Sequence, residues 1–237
     1  MEEQEIELER IRGFYDGIYY REAQGTREPV PHYMSLASKI GVAEGQKVLD
    51  VACGLGQWLS TCATLGAIPH GIDLSERAIQ VCRKIMPHGT FQAHPAETLP
   101  FADQEFDLVS CLGSLEHFVD QKGAVKEMVR VAKPGAQLVI LVPNEDFLTR
   151  KLGLYSGTYQ VAAKEVMHSL AEWEALFEEC GLEVKDRWRD LHVLSRAWIF
   201  SRGLLRAPIR AAQAMALAIW PLKWQYQVYH LCTVRKV

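Results

Sequence analysis

The sequence is short of several features that would settle its class at once. Its six cysteines, at 53, 62, 82, 111, 180 and 232, form no Cys-x-x-Cys pair and no close Cys/His cluster. That spacing argues against a zinc site or a disulfide framework and fits reduced thiols in a cytosolic protein. The start, MEEQEIELER, is acidic and has neither the basic opening nor the apolar run of a secretory signal, so a cytoplasmic protein is expected. The most tempting apolar stretch, Ala211 to Leu222, holds 12 uncharged residues. As a helix it would reach ~18 Å against a bilayer core of roughly 30 Å, too short to span. Internal repeats and low-complexity tracts are absent, and no Asp or Glu follows Asp190.

What is present suits a globular chain with ample material for a core: 237 residues, 49% hydrophobic and 23% charged. The net charge of -3 conceals a division. Residues 1–186 hold 17 Lys and Arg against 28 Asp and Glu, whereas residues 187–237 hold 9 against the single Asp190. An acidic body with a basic end suggests an anionic or membrane-surface partner for that end.

From residue 45 onward, short apolar runs alternate with amphipathic stretches. Strands are expected at Lys47–Val51, Pro69–Ile72, Thr90–Ala93, Phe106–Leu112, Gln137–Val142, Leu182–Trp188 and Val228–Val234. Helices are expected at Trp58–Leu65, from the Ser75 cap to Ile85, over Gly123–Ala132 up to the stop at Lys133-Pro-Gly135, and from Ser169, where Glu172 completes a capping box. Such alternation means βαβ units and a mainly parallel sheet covered on both faces. The first forty residues read as helical and aromatic. Residues 191–222 read as two helices, about 192–205 and 208–219, with Pro208 opening the second and Pro221 ending it. If the helix were unbroken, Arg202, Arg206 and Arg210 would share a face.

The most informative block is Val48-Leu-Asp-Val-Ala-Cys-Gly-Leu-Gly-Gln-Trp58. A strand ending in an acid and turning through small residues lets backbone N–H groups approach a ligand closely. The dinucleotide pattern G-x-G-x-x-G is not met, because Leu59 stands at its third glycine. The block instead resembles motif I of the class I S-adenosylmethionine-dependent methyltransferases, with Asp50, Ala52, Gly54 and Gly56 at alternate positions and Ala52 replacing the commonest glycine. The resemblance continues through Gly71-Ile-Asp-Leu-Ser75, Ala96-Glu-Thr-Leu-Pro-Phe101, Phe106-Asp-Leu-Val-Ser110 and Arg130-Val-Ala-Lys-Pro-Gly135. It covers about residues 45–190 and the last strand.

The resemblance implies a Rossmann-like seven-stranded, mostly parallel sheet with the last strand antiparallel, helices on both faces and a helical insertion before that strand. It divides the chain into an N-terminal helical lid (1–44), a cofactor-binding core (45–190), a basic amphipathic insertion (191–222) and a final strand (223–237). It also implies S-adenosyl-L-methionine as cofactor, S-adenosyl-L-homocysteine as product, and cofactor contacts from Asp50, Ala52, Cys53, Gly54, Gly56, Asp73, Leu74, Ala96, Glu97 and Leu112. Asp73 would accept from both ribose hydroxyls, Asp50 would orient the amino group, and Leu74 would pack on adenine. Pro95 stands where the family usually has an adenine-binding acid, leaving the Ala96 amide as a contact there.

After the fourth strand, Glu116-His117 resembles the Glu-His pair of ubiquinone-pathway O-methyltransferases, but Gly113 replaces a metal-binding acid, and no metal is expected. His117 reads equally as a general base or as a helix-end histidine that holds its loop. Tyr15, Tyr19, Tyr20, His32, Tyr33, Asn144 and Tyr159 are acceptor-side candidates, although aromatics on helices are more often simply packed. The Asn- or Asp-Pro-Pro-aromatic motif of nucleic-acid amino-methylating enzymes is absent, so no nucleic-acid partner is expected. The expected reaction is methyl transfer to a small or amphipathic, lipid-like acceptor, with oxygen favoured. The competing reading is a non-catalytic scaffold, favoured by Ala52 and Pro95 and opposed by Asp73, Gly54 and Gly56. For residues 191–222 three readings stand: an acceptor lid, an element resting peripherally on an anionic membrane, and a homo-oligomer contact.

Overall fold

The computed structural model describes residues 2–22, 25–153, 165–194, 199–200 and 203–235. Seven strands form one sheet: β1 (Lys47–Val51), β2 (Ile68–Asp73), β3 (Thr90–Ala93), β4 (Phe106–Leu112), β5 (Ala132–Pro143), β6 (Leu182–Arg189) and β7 (Gln227–Val234). Their order is β3-β2-β1-β4-β5-β7-β6, and β7 alone runs antiparallel to its neighbours β5 and β6. The chain therefore moves outward from β1 to β3, then returns to the other side of β1 at β4. That reversal leaves a crevice at the carboxyl ends of β1 and β4, the place where open α/β sheets bind ligands.

Strand residues alternate between two apolar layers, as a two-residue side-chain period requires. Along β5, Leu138, Ile140 and Val142 face one layer while Val139 and Leu141 face the other. The first layer packs against α5 (Gln121–Val131) and α7 (Leu170–Glu179) through Met128, Trp173 and Phe177. The second packs against α2 (Pro31–Ile40), α3 (Gln57–Thr64) and α4 (Glu76–Ile85) through Leu36, Trp58, Leu59 and Ile79. All six cysteines are buried free thiols.

Local chemistry fixes the helix starts. Ser75 accepts from the Ala78 N–H and starts α4, Asp120 accepts from the Gly123 N–H and starts α5, and Ser169 with Glu172 forms the expected capping box of α7. Further helices among the described residues are α1 (Glu2–Phe14), α6 (Leu148–Lys151) and α8 (Ala207–Ile219), and residues 199–200 are helical. A π-helical turn, Tyr15–Tyr19, follows α1 directly.

Two expectations need correction. Lys133-Pro-Gly135 does not separate helix from strand; it lies within β5, where a register irregularity between Phe106 and Leu108 absorbs the extra residues. Residues 192–205 are not one helix either. His192–Leu194 and Leu204–Arg206 are 3-10 turns, and Gly203 at φ +87° interrupts the helical path. Arg206 is the N-cap of α8, four residues before Arg210, and Arg202 falls outside the described residues. No helix among the described residues is long and apolar enough to cross a membrane.

Candidate functional site

A cavity of about 350 Å³ opens at the reversal point between β1 and β4. Asp50, Ala52, Cys53 and Gly54 reach it from the end of β1, Asp73 and Leu74 from β2, Ala96 and Glu97 from the loop after β3, and Leu112 from β4. Nine of the ten expected cofactor residues are thus brought to one surface. Gly56 is not among the lining residues. It starts α3 at φ +73°, and a Cβ there would meet Met86 Cε at 2.7 Å and Cys82 Sγ at 2.8 Å. It serves helix packing rather than ligand approach.

Asp73 is the best-organised group in the cavity. One carboxylate oxygen accepts from the Gly54 N–H at 2.9 Å and the other from the Ser75 N–H at 2.9 Å. Each oxygen keeps a further lone pair for a ligand donor, since a carboxylate can accept about four hydrogen bonds. Burial pushes its pKa up to about 6 against the opposing pull of those two N–H groups, with Asp16 adding repulsion. Asp50 is pushed up to about 7 by burial, although it accepts from the Ser110 hydroxyl at 2.6 Å. That hydroxyl in turn accepts from the Trp58 indole N–H at 2.9 Å. Asp50, Asp73 and Glu97 line the cavity with no Lys or Arg beside them, an environment that favours a cation.

Ala52 sits at φ +62°, a left-handed conformation that a side chain resists. This accounts physically for glycine being the commonest residue there. Pro95 and His94 also line the cavity, and the His94 ring folds back onto its own loop, its Nδ1 lying 3.0 Å from the Pro95 carbonyl oxygen.

The opposite wall comes from the N-terminal arm. Leu8, Ile11, Tyr15, Tyr19 and Tyr20 face the cavity, joined by Tyr33 from α2. Burial raises the Tyr15, Tyr20 and Tyr33 phenols above their ordinary range, so at neutral pH they stay protonated. Asp16, inside the π-helical turn, holds this arm down. Its carboxylate accepts from the Ser75 hydroxyl and from the Arg77 N–H at 3.2 Å, both at the positive end of α4. Ser75 therefore joins the two sides, with its N–H on Asp73 and its hydroxyl on Asp16. No sequence pattern marks Asp16 or Ser110 for these roles; Tyr20 at least belongs to a visible aromatic cluster.

His117 lines the cavity from a 3-10 turn, Leu115–His117, after β4. Its neighbour Glu116 turns into the protein, 3% exposed, and burial pushes its pKa up to about 8. A carboxyl that is neutral at pH 7 is a poor cation ligand, and Gly113 occupies the cavity wall where the related pattern has an acid. Among the described residues no group of three His, Cys, Asp or Glu side chains could hold a metal.

Two acceptor candidates are not among the residues lining the cavity. Asn144 is fully buried, its amide donating to the Lys223 and Gln225 carbonyls at 2.9 and 3.2 Å while its oxygen accepts from the Asp146 N–H. Its hydrogen-bonding capacity is used in fixing the segment before β7, which corrects the expectation of an acceptor contact. His32 stands behind Tyr33 and does not line the cavity, its ring 4.0 Å from that of Tyr33 and 6.4 Å from that of His192. Tyr159 lies outside the described residues.

Comparison with known proteins agrees with this geometry. Residues 49–140 match a family model described as a methyltransferase domain. The chain is 34% identical over 180 residues to a ubiquinone biosynthesis O-methyltransferase of Alkalilimnicola ehrlichii, covering 73% of this chain and 70% of that one. It is 39% identical over 101 residues to a demethylmenaquinone methyltransferase of Renibacterium salmoninarum, covering 43% of each. Several curated relatives are matched over only about half of their length. Among solved structures, an S-adenosylmethionine dependent methyltransferase from Mesorhizobium loti is similar in fold, with a TM-score of 0.65 at 14% identity over 88% of this chain and all of that one.

Proposed function

The chain belongs to the class I S-adenosylmethionine-dependent methyltransferases, and from that premise we propose that it transfers a methyl group from S-adenosylmethionine to a small, amphipathic acceptor, at oxygen. The observation that carries the reading is Asp73: a buried carboxylate fixed by two backbone N–H groups, with lone pairs left over, in a cavity whose charged lining residues are all acidic. A cofactor carrying a ribose and a sulfonium needs acceptors and negative potential, and these walls supply both. The Gly54 turn fits the methionine end, Asp50 its ammonium, and Leu74 and Ala96 the adenine.

The bound cofactor supplies an electrophilic methyl on sulfur. The residues have to hold the acceptor oxygen in line, exclude water and receive one proton. Tyr15, Tyr19, Tyr20 and Tyr33 form the acceptor-side wall. The raised phenols act as donors and apolar surface rather than as bases. His117 receives the acceptor proton. The names carried by the relatives, ubiquinone biosynthesis and demethylmenaquinone, favour an amphipathic acceptor.

The test is incubation with methyl-labelled cofactor and separated aqueous and lipid extracts of the source cell. Label in a lipid-soluble product stable to mild base is expected. Label confined to nucleic acid or protein would contradict the acceptor class. His117→Gln is expected to lower kcat roughly a hundredfold while leaving cofactor affinity unchanged, the size usual for loss of a general base.

A further inference from the structure

Helix α8 is built inside out. Its buried positions are Ala207 and Ala214, while Pro208, Ala212, Met215 and Ile219, spaced as one helical face, point to solvent. Ile219 is 81% exposed and Ile209 65%, and the turn just before the helix exposes Leu204 by 78% and Leu205 by 97%. Its inner side, with half-buried Ala211, Leu217 and Ala218 beside the two buried alanines, carries the smaller share of its apolar bulk.

Polar contacts add to that small apolar contact. The Gln225 amide donates to the Leu217 carbonyl at 2.7 Å and to the Trp220 carbonyl at 3.1 Å, and the Arg189 guanidinium donates to the Ala218 carbonyl. Asn144 fixes the same segment from β5. With the helix gripped through its carbonyls, its large apolar side chains stay free on the surface. Contiguous exposed apolar surface of this kind marks an interaction site.

Charge identifies the partner. No acid follows Asp190 in the sequence, and exposed Arg206 and Lys223 flank the two ends of α8. An apolar face flanked by cations, on a segment that carries no acid, complements a surface that is apolar beneath and negative above. We propose that α8 and the Leu204–Leu205 turn form a docking surface for an anionic phospholipid bilayer, lying in the headgroup plane. The inference goes beyond the methyl-transfer reading and holds whatever the acceptor is. Pro143, at the carboxyl end of β5, pairs with Gln227, so the anchored segment lies at the same edge of the sheet as the cavity.

The test is co-sedimentation of the full chain with vesicles of equal parts phosphatidylglycerol and phosphatidylcholine, against vesicles of phosphatidylcholine alone. Binding to the anionic vesicles, weakened by salt, is expected. The triple variant Leu205→Ser, Ile209→Ser, Ile219→Ser is expected to lose at least about tenfold in partitioning. Arg206→Gln with Lys223→Gln, which leaves the apolar face intact, is expected to lose severalfold on anionic vesicles alone and keeps the test valid if the triple variant misfolds. Circular dichroism melting and cofactor calorimetry verify that each variant is folded. Failure of the wild type to bind either vesicle, or variants that bind undiminished, would overturn the proposal. So would a dimer in sedimentation velocity that the triple variant dissolves while vesicles bind neither form, for then a second copy covers the face.

Discussion

At the scale of single residues, three positions carry measurable consequences. Ala52 holds a left-handed conformation that costs an alanine about 1–2 kcal/mol, partly offset by the flexibility a glycine would add to the unfolded chain. Ala52→Gly is therefore expected to stabilise the fold by up to about 1 kcal/mol, a rise of a few degrees in Tm, with cofactor binding retained. Glu116 keeps a proton in the fold that the unfolded chain releases, because its folded value is raised to about 8. Its contribution to stability thus falls as pH rises from the ordinary carboxylate range towards 8. Glu116→Gln is expected to remove that slope and to add on the order of 2–3 kcal/mol near pH 8, little near pH 4.5, in thermal melts across pH. Asp50 and Asp73, raised to about 7 and about 6, must ionise to hold a cationic nucleoside. Cofactor affinity should be flat above pH 7 and fall as pH drops through those values, with proton release near pH 6.5 visible as a buffer-dependent binding heat. An affinity that rises on acidification would contradict that electrostatic reading.

At the scale of elements, legibility followed burial. β1 and β4 match their expected bounds because central strands covered on both faces read as largely apolar runs, and the edge strand β3 matches although only Phe91 in it is buried. Ser75, Ser169 and Glu172 were readable because capping is local chemistry. What failed depends on partners distant in sequence. Asn144 looked like a ligand group but is consumed by the carbonyls of 223 and 225. Residues 191–222 leave three readings open in the sequence, because the groups that hold α8 by its backbone, Gln225 and Arg189, lie outside the helix. The Asp16 latch is of the same kind, 59 residues from Ser75. Asp16→Ala removes both contacts of the aromatic arm while the Ser75 cap keeps α4 intact. Limited proteolysis is expected to cut near the π-helical turn several times faster, and cofactor dissociation to speed up, with core stability changed by less than about 1 kcal/mol. Unchanged proteolysis would mean that ring packing, rather than Asp16, holds the arm.

At the scale of the whole molecule, the charge division in the sequence maps onto two features at one edge of the sheet. The acidic body contains the cavity, where Asp50, Asp73 and Glu97 suit a cationic cofactor. The acid-free end carries the exposed apolar helix. Ordered motif blocks made the fold and most of the cavity surface readable, since the blocks at the ends of β1, β2 and β3 meet at one crevice. The wall opposite was readable only as an aromatic cluster: Tyr15, Tyr19, Tyr20 and Tyr33 do line the cavity, but they share no motif that fixes their roles. Isothermal titration calorimetry of the wild type and Asp73→Ala with S-adenosylmethionine and S-adenosylhomocysteine tests the central claim most directly. One site for each ligand is expected in the wild type, with a loss of at least about 2 kcal/mol, some thirtyfold, in Asp73→Ala, since charged hydrogen bonds contribute about 1.5–3 kcal/mol each. Binding of neither ligand to the wild type, or equal binding to the variant, would contradict the assignment of this cavity.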